Sequence, residues 1–196
     1  MANIISLSSL SRSEFDKIKK NFHCSHKQLE EHIKQYAFTH QKEGLFQTYF
    51  YVEDGKYLGY ISLAIASIDR EKFDNELNIP SSMKYAIPAL KITRLCIFDE
   101  YIKQGVGTIL IYFVKVLATT LQKKIGCRAV IVDSKEEAVS FYKQYDYIPI
   151  ASQDDDNTIF MLHDLLQPKE LEESIKDMVL FCETYGQMDL IDILKH

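Results

Sequence analysis

The run Leu95 to Thr108, LCIFDEYIKQGVGT, is the part of the chain whose pattern alone suggests chemistry. An apolar stretch ends in a short polar loop, and two glycines then open a segment with helical period. Such a strand-to-helix junction gathers main-chain N–H groups that the first helical turn leaves without partners, and the helix dipole adds a positive partial charge. From Lys103 through Gln104, Gly105, Val106 and Gly107 to Thr108, these donors suit a pyrophosphate, with Gly105 and Gly107 letting the ligand approach the backbone. Two glycines in such a turn also arise for conformational reasons. Neither the dinucleotide pattern GxGxxG nor the Walker lysine pattern is present.

Other reactive side chains carry less. Glu53, Asp99 and Glu100 are carboxylates at strand ends, where a solvated turn accounts for them, so none is assigned as a base. His23, Cys24 and His26 are close together but lack a second ligand cluster at metal-site spacing, and no metal is expected. The four cysteines, Cys24, Cys96, Cys127 and Cys182, form no CxxC pair and read as free, buried thiols.

The elements that must hold the loop follow from periodicity. Ile4 to Leu7 reads as a strand, and Ser11 or Ser13 as the cap of a helix reaching about Phe22. A second helix starts near His26, with Leu29, Ile33, Tyr36 and Ala37 on its core stripe and Glu30, Glu31, Lys34 and Gln35 facing water. Phe46–Val52 and Tyr57–Ala66 read as a hairpin turned by Asp54-Gly55. After a polar segment, Ser67 to Ser82, Ala89–Phe98 is the expected central strand, and Val106–Lys124 a buried helix stopped by Gly126. Strand Cys127–Val132, helix Glu136–Tyr145 and a strand pair, Tyr147–Ala151 with Thr158–Leu162, complete the expected sheet. Leu171, Ile175, Met178, Val179 and Cys182 mark a further amphipathic helix, and Met188–Leu194 a short last one.

With these elements in place, the chain resembles the GNAT superfamily. That family's phosphate loop reads R/Q-x-x-G-x-G/A between a central strand and a buried helix, and here it is Ile102 to Gly107, with Ile102 at the leading position. A later family helix reads close to A-x-x-x-Y-x-x-x-G-F. This chain has Ala138, Tyr142, Asp146 and Tyr147, with Asp146 in place of glycine and Lys135 where an asparagine is common. The resemblance spans about Tyr57 to Leu162. It implies an α/β fold with a mixed, splayed central β-sheet flanked by helices, and acetyl-coenzyme A as cosubstrate. It also implies main-chain pairing of Leu95, Cys96 and Ile97 with the pantetheine arm, and Tyr142 as general acid toward the departing thiolate. Packing alone is the other account of Tyr142, since buried tyrosines are common. On this basis residues 1–166 form the acyltransferase domain and 167–196 a C-terminal helical extension, completing either the monomer core or a dimer interface.

The implied activity is transfer of an acetyl group to a primary amine of unknown size. One subgroup, the acetyltransferase toxins that modify aminoacyl-tRNA, is similar at Phe22-Cys24-Leu29, at GYISLA, at IPALKITRLCI and at VDSKEEAVSFY. Composition opposes it: 23 Lys and Arg against 28 Asp and Glu give a net charge of −5, so a tRNA ligand requires a local patch. Lys17, Lys19, Lys27, Lys34, Lys84, Lys91, Arg94 and Lys103 are its candidates. Acetylation of a small amine or a protein amino group, with Asp154 to Asp156 attracting a cation, and a catalytically silent binding fold are the alternatives. No leader is recognised and no stretch reads as long and apolar enough to span a bilayer, so the chain is expected to be cytoplasmic.

Overall fold

A computed structural model describes residues 2–70, 77, 79–80, 82, 84–150, 157–166, 171–187 and 190. Strand β1 (Ala2–Ser6) leads into helix α1 (Arg12–Asn21), whose start is fixed by a reciprocal cap. The Ser11 Oγ accepts from the Glu14 N–H at 3.3 Å, and the Glu14 carboxylate accepts from the Ser11 N–H at 2.7 Å. This satisfies two amides that the first turn orphans and selects Ser11 over Ser13 as the cap.

The second helical segment is not regular. Helix α2 (Lys27–Glu31) passes through a π turn, His32–Tyr36, into α3 (Ala37–Lys42). A π turn adds a residue to the local repeat and rotates the side chains that follow it. The expected core stripe is corrected accordingly: Ile33 and Ala37 are buried, but Tyr36 is 44% exposed, and His32 takes an interior position at 3%.

Strands β2 (Gln47–Glu53) and β3 (Lys56–Ile68) form the expected hairpin, with Asp54 and Gly55 at φ 48° and 75°. Next come β4 (Ile87–Ile97), helix α4 (Val106–Lys124), β5 (Ala129–Lys135), helix α5 (Val139–Lys143), β6 (Ile148–Ile150) and β7 (Thr158–Asp164). The sheet order is β1-β2-β3-β4-β5-β7-β6; β4 and β5 run parallel, while the other neighbours are antiparallel. The helix expected over Glu136–Tyr145 is shorter: a 3₁₀ turn, Glu136–Ala138, precedes α5. The strand expected to stop at Val132 instead runs to Lys135. Its polar end stays paired with β7 after leaving β4.

Alternation along β4 divides the core. Leu95 and Ile97 pack on the α4 side, with Leu110, Phe113 and Val114, whereas Cys96 packs on the α1 side with Phe15, Phe22 and Tyr60. Helix α4 is long and apolar enough by composition to cross a membrane, contrary to the reading from sequence. Val106, Leu110, Ile111, Phe113, Val114, Val116, Ala118 and Thr120 are nevertheless buried within the protein. The sheet covers one side of the helix and α6 (Leu171–Thr184) another, with Val116 against Cys182 and Leu190, and Tyr112 stacked on Phe181.

Beyond α6, Ile4 N–H donates to Tyr185 O at 3.3 Å, and the Gln187 amide donates to Ile4 O at 2.8 Å. These bonds engage the outer edge of β1. The last helix expected over Met188–Leu194 lies outside the described residues except at Leu190. Much of Ser67–Ser82, and the turn before Asn157, do so as well.

Candidate active site

The site begins where the sheet divides. Strand β4 pairs with β5 only over Ala89–Ile92 against Ala129–Val132. Beyond that, β4 remains on β3 while β5 remains on β7. A bulge marks the parting point. On β3, Ser62 faces Arg94 and Leu63 faces Ile92, which leaves Thr93 as the extra residue, its hydroxyl donating to Ser62 O at 3.0 Å. Bulges bend a strand and increase its twist, so Thr93 turns the end of β4 away from β5. The edge of Thr93–Ile97 facing the split has no strand partner among the described residues. It presents main-chain N–H and C=O groups that an extended ligand with amides can pair.

The loop Ile102–Gly107 closes one end of the split. Gly105 caps α4 with φ 83°, and Lys103 also adopts a left-handed φ of 63°. The two glycines are required for different reasons. At Gly105 the constraint is the backbone angle, since a Cβ there would meet nothing within 4 Å. At Gly107 it is space, because a Cβ would lie 3.0 Å from the Phe141 ring. Gly59 on β3 makes a third close approach: its Cβ would lie 2.8 Å from Cys96 O and 3.1 Å from Val106. That contact sets the start of α4 down on the sheet.

A cavity of about 500 Å³ runs from this loop along the free edge. Leu95, Ile97, Lys103, Gly105, Val106, Gly107 and Thr108 line it, as does Tyr142. Two of the expected residues do not. The Cys96 thiol points to the opposite side of the sheet, toward Cys24, and the Gln104 amide donates to Glu100 O at 2.8 Å. Their main chains are also engaged: Cys96 is paired with Tyr60 on β3, in the same alternation by which Phe98 N–H donates to Leu58 O, and Gln104 N–H donates to Tyr101 O at 3.4 Å. Ile102, 51% exposed, lies at the rim and offers the loop no polar side chain.

Tyr142 stands where this cavity meets a second one of about 820 Å³; Leu95, Ala138 and Tyr142 line both. Its ring lies between Phe141 and Tyr147, with centroids at 5.3 and 5.4 Å, and the residue is 5% exposed. Burial raises the Tyr142 phenol well above its ordinary range, so at neutral pH it holds a proton. The chain leaves α5 through Asp146 at φ 63°, with Tyr147 N–H donating back to Tyr142 O. A left-handed position tolerates aspartate at modest cost, which explains how Asp146 can occupy a place usually held by glycine.

The second cavity was not foreseen as such. Besides β4 and β5 it is lined by His26, Leu29, His32, Tyr36, His40 and Phe46. Tyr36 stacks on His40 with centroids 5.7 Å apart and planes at 13°, and His40 meets Phe46 edge-on at 5.3 Å. His32 Nε2 and His40 Nδ1 are buried without a hydrogen-bond partner among the described residues. Burial, then the charges of Arg94 and His40, lower His32 to about 4, keeping it neutral. The signal was present in the sequence: His32, Tyr36 and His40 recur every four residues and therefore share one helical stripe. Lys91, Arg94 and Lys135 line this cavity together with Glu31, Asp133 and Glu137, so its charges balance, with Lys91 paired to Asp133. Of the other candidate cations, Lys19 is paired with Asp16 and Lys34 with Glu30.

The first cavity fits an acyl-coenzyme A. Its unpaired strand edge suits an amide-bearing arm, its loop and helix start suit a pyrophosphate, and a buried phenol stands at its inner end.

Comparison with known proteins agrees. The acetyltransferase (GNAT) domain family matches residues 9–163. No curated protein matches the chain by sequence. Among solved structures, a bacterial toxin superposes with a TM-score of 0.73 at 11% identity, over 91% of this chain and 96% of that one. AtaTR bound with acetyl-CoA gives 0.66 at 18%, over 91% and 96%. AtaT complexed with acetyl-methionyl-tRNAfMet gives 0.68 at 19%, over 82% and 94%. At such identities the likeness shows the fold, and the family match shows the rest: this chain belongs to the GNAT acetyltransferases and is an acetyl-coenzyme A-dependent N-acyltransferase.

Proposed function

We propose that this acetyltransferase acts on the α-amino group of an aminoacyl-tRNA, with Tyr142 as general acid. The observation that carries the reading is the meeting of two cavities at Tyr142 and Leu95. A coenzyme in one and an amine in the other would be joined at a buried proton donor. Acetyl-coenzyme A supplies an activated thioester. The free N–H groups of β4 beyond Thr93 polarise its carbonyl, and Leu95 and Ala138 exclude water from the junction. As the amine nitrogen bonds to the acetyl carbon and the C–S bond breaks, the Tyr142 hydroxyl gives its proton to the thiolate. The ammonium then loses a proton to solvent in the open acceptor cavity, and the Tyr142 phenolate takes one back, which restores the enzyme.

Two features favour a nucleic-acid-borne amine over a small free one. The acceptor cavity is larger than the coenzyme's, about 820 against 500 Å³. Its Tyr36, His40 and Phe46 rings offer stacking faces of the kind that hold unpaired bases. The structural likeness to AtaT, solved with acetyl-methionyl-tRNAfMet, supports the same reading. Residues 1–166 then form the catalytic unit and 167–196 an extension, a division supported by α6, which packs on the back of α4, away from both cavities.

The test is transfer of radiolabelled acetyl groups to a panel of purified aminoacyl-tRNAs, with polyamines and peptides in parallel. Labelling of charged but not uncharged tRNA, weakened by salt, is expected. Labelling confined to polyamines or peptides overturns the acceptor assignment while leaving the acetyltransferase intact.

A further inference from the structure

Cys24 and Cys96, 72 residues apart, bring their sulfurs to 2.8 Å on the side of the sheet away from the coenzyme cavity. Both are free thiols, 7% and 3% exposed. The remaining thiols, Cys127 and Cys182, belong to other parts of the core. A closure of less than about 1 Å separates the Cys24–Cys96 contact from a disulfide bond.

The surroundings of the pair hold it in register. Ser25 N–H and Oγ donate to the Asp99 carboxylate at 3.0 and 2.8 Å, Asp99 N–H donates to His23 O at 3.3 Å, and Phe22 meets Phe98 edge-on at 4.4 Å. Residues 22–26 are thus bound to the end of β4 on both sides of the sulfurs. Cys24 is also the sulfur nearer solvent, since its neighbours His23 and Ser25 are exposed. A hydrogen bond from the Cys96 thiol holds Cys24 below the ordinary thiol range, while Cys96, its charged form disfavoured beside Cys24 and by burial, lies above it.

We propose that Cys24 and Cys96 are a peroxide-oxidisable dithiol whose disulfide fastens the start of the acceptor-side helix to the coenzyme-side strand. The Cys24 thiolate attacks a hydroperoxide: an S–O bond forms, the O–O bond breaks, and the alkoxide or hydroxide leaves with a proton as alcohol or water. Cys96 sulfur then attacks Cys24 sulfur. The S–S bond forms, the S–O bond breaks, and hydroxide departs with the Cys96 proton as water. Two thiols are oxidised and one peroxide is reduced. The link matters because of its ends. Cys96 lies between Leu95 and Ile97, which line the coenzyme cavity, and Cys24 lies two residues before His26, which lines the acceptor cavity. Disulfides that form in this way inside cells are transient and redox-sensing. The proposal rests on the sulfur geometry and does not depend on the identity of the acceptor.

The experiment treats the reduced full chain with stoichiometric hydrogen peroxide, unfolds it, alkylates the remaining thiols and maps the peptides. Loss of two of the four alkylatable thiols is expected, together with a peptide joining Cys24 to Cys96 and reversal by dithiothreitol. The unfolding temperature should rise by about 5–10 °C in the oxidised protein. Both effects should vanish in Cys24→Ser and, separately, in Cys96→Ala. Four alkylatable thiols after treatment, a cross-link involving Cys127 or Cys182, or sulfinic acid at Cys24 with Cys96 still reduced would each overturn the proposal.

Discussion

The two cavities that meet at Tyr142 are made of different material. The coenzyme side is largely backbone: a free strand edge, a glycine-capped loop and a helix start, with side chains used to keep space open. The side proposed for the acceptor is largely side chain, with His32, Tyr36 and His40 on the helical segment that holds the π turn, Phe46 just before β2, and Arg94 on β4. A cosubstrate with an invariant diphosphate and amide arm can be held by main-chain groups that tolerate changes such as Ile102. An acceptor must be distinguished from other amines, and only side chains do that.

The junction itself is where the comparison breaks most sharply. Tyr142→Phe keeps the packing between Phe141 and Tyr147 but removes the proton, so kcat should fall by about 10²–10⁴-fold. Acetyl-coenzyme A affinity by calorimetry should be unchanged. A rate within a few-fold of the native enzyme would assign Tyr142 to packing alone.

On the coenzyme side, Gly107→Ala drives a methyl against the Phe141 ring. Coenzyme affinity should drop by about tenfold or more, equivalent to about 1.4 kcal/mol. Phe141→Leu in the same chain should recover part of it, since the steric partner has been shortened. Failure of that rescue would mean that Gly107 serves the ligand instead of Phe141.

The acceptor side should respond in the opposite parameter. Tyr36→Ala removes an exposed stacking face worth about 1–3 kcal/mol if it holds a base. The acceptor KM should rise by at least about fivefold, with coenzyme binding intact. Loss of coenzyme affinity in this variant would show that the two cavities are not separable.

A smaller effect concerns stability against pH. His32 is lowered from 6.5 to about 4 by burial and by Arg94 and His40, with the Tyr60 ring stacked beside it. Between these values the unfolded chain binds a proton that the folded chain refuses, so stability falls as pH drops through that window. In His32→Gln this loss should be smaller, which denaturant titrations at pH 7 and pH 5 would measure. Equal slopes would place His32 in contact with solvent.

The elements of the cavity proposed for the coenzyme were legible because their requirements are local. A strand, a loop with glycine at a positive-φ position and a buried helix are written in consecutive residues, Ala89 to Lys124, and each obeys its own periodicity. Even the departures had local meaning: Asp146 keeps a left-handed angle at which glycine is usual. The acceptor half was not legible as a site. Its stripe of His32, Tyr36 and His40 was visible as spacing, but a regular helix puts all three on one face and gives no reason for Tyr36 to be 44% exposed while His32 is buried at 3%. The π turn separates them.

The sequence by itself determined the order of elements, the hairpin at Asp54-Gly55 and the glycine turn into α4, because hydrophobic period and turn chemistry act over a few residues, while the choice of Ser11 over Ser13 as the cap came from the structure. Only the tertiary structure decided that Thr93 is the bulge at which β4 leaves β5, that Gly107 is empty for Phe141, that Cys24 meets Cys96, and that Tyr142 closes one cavity and opens another. These depend on contacts between residues far apart along the chain, whose geometry is set by how the sheet twists and splits, which no local pattern encodes.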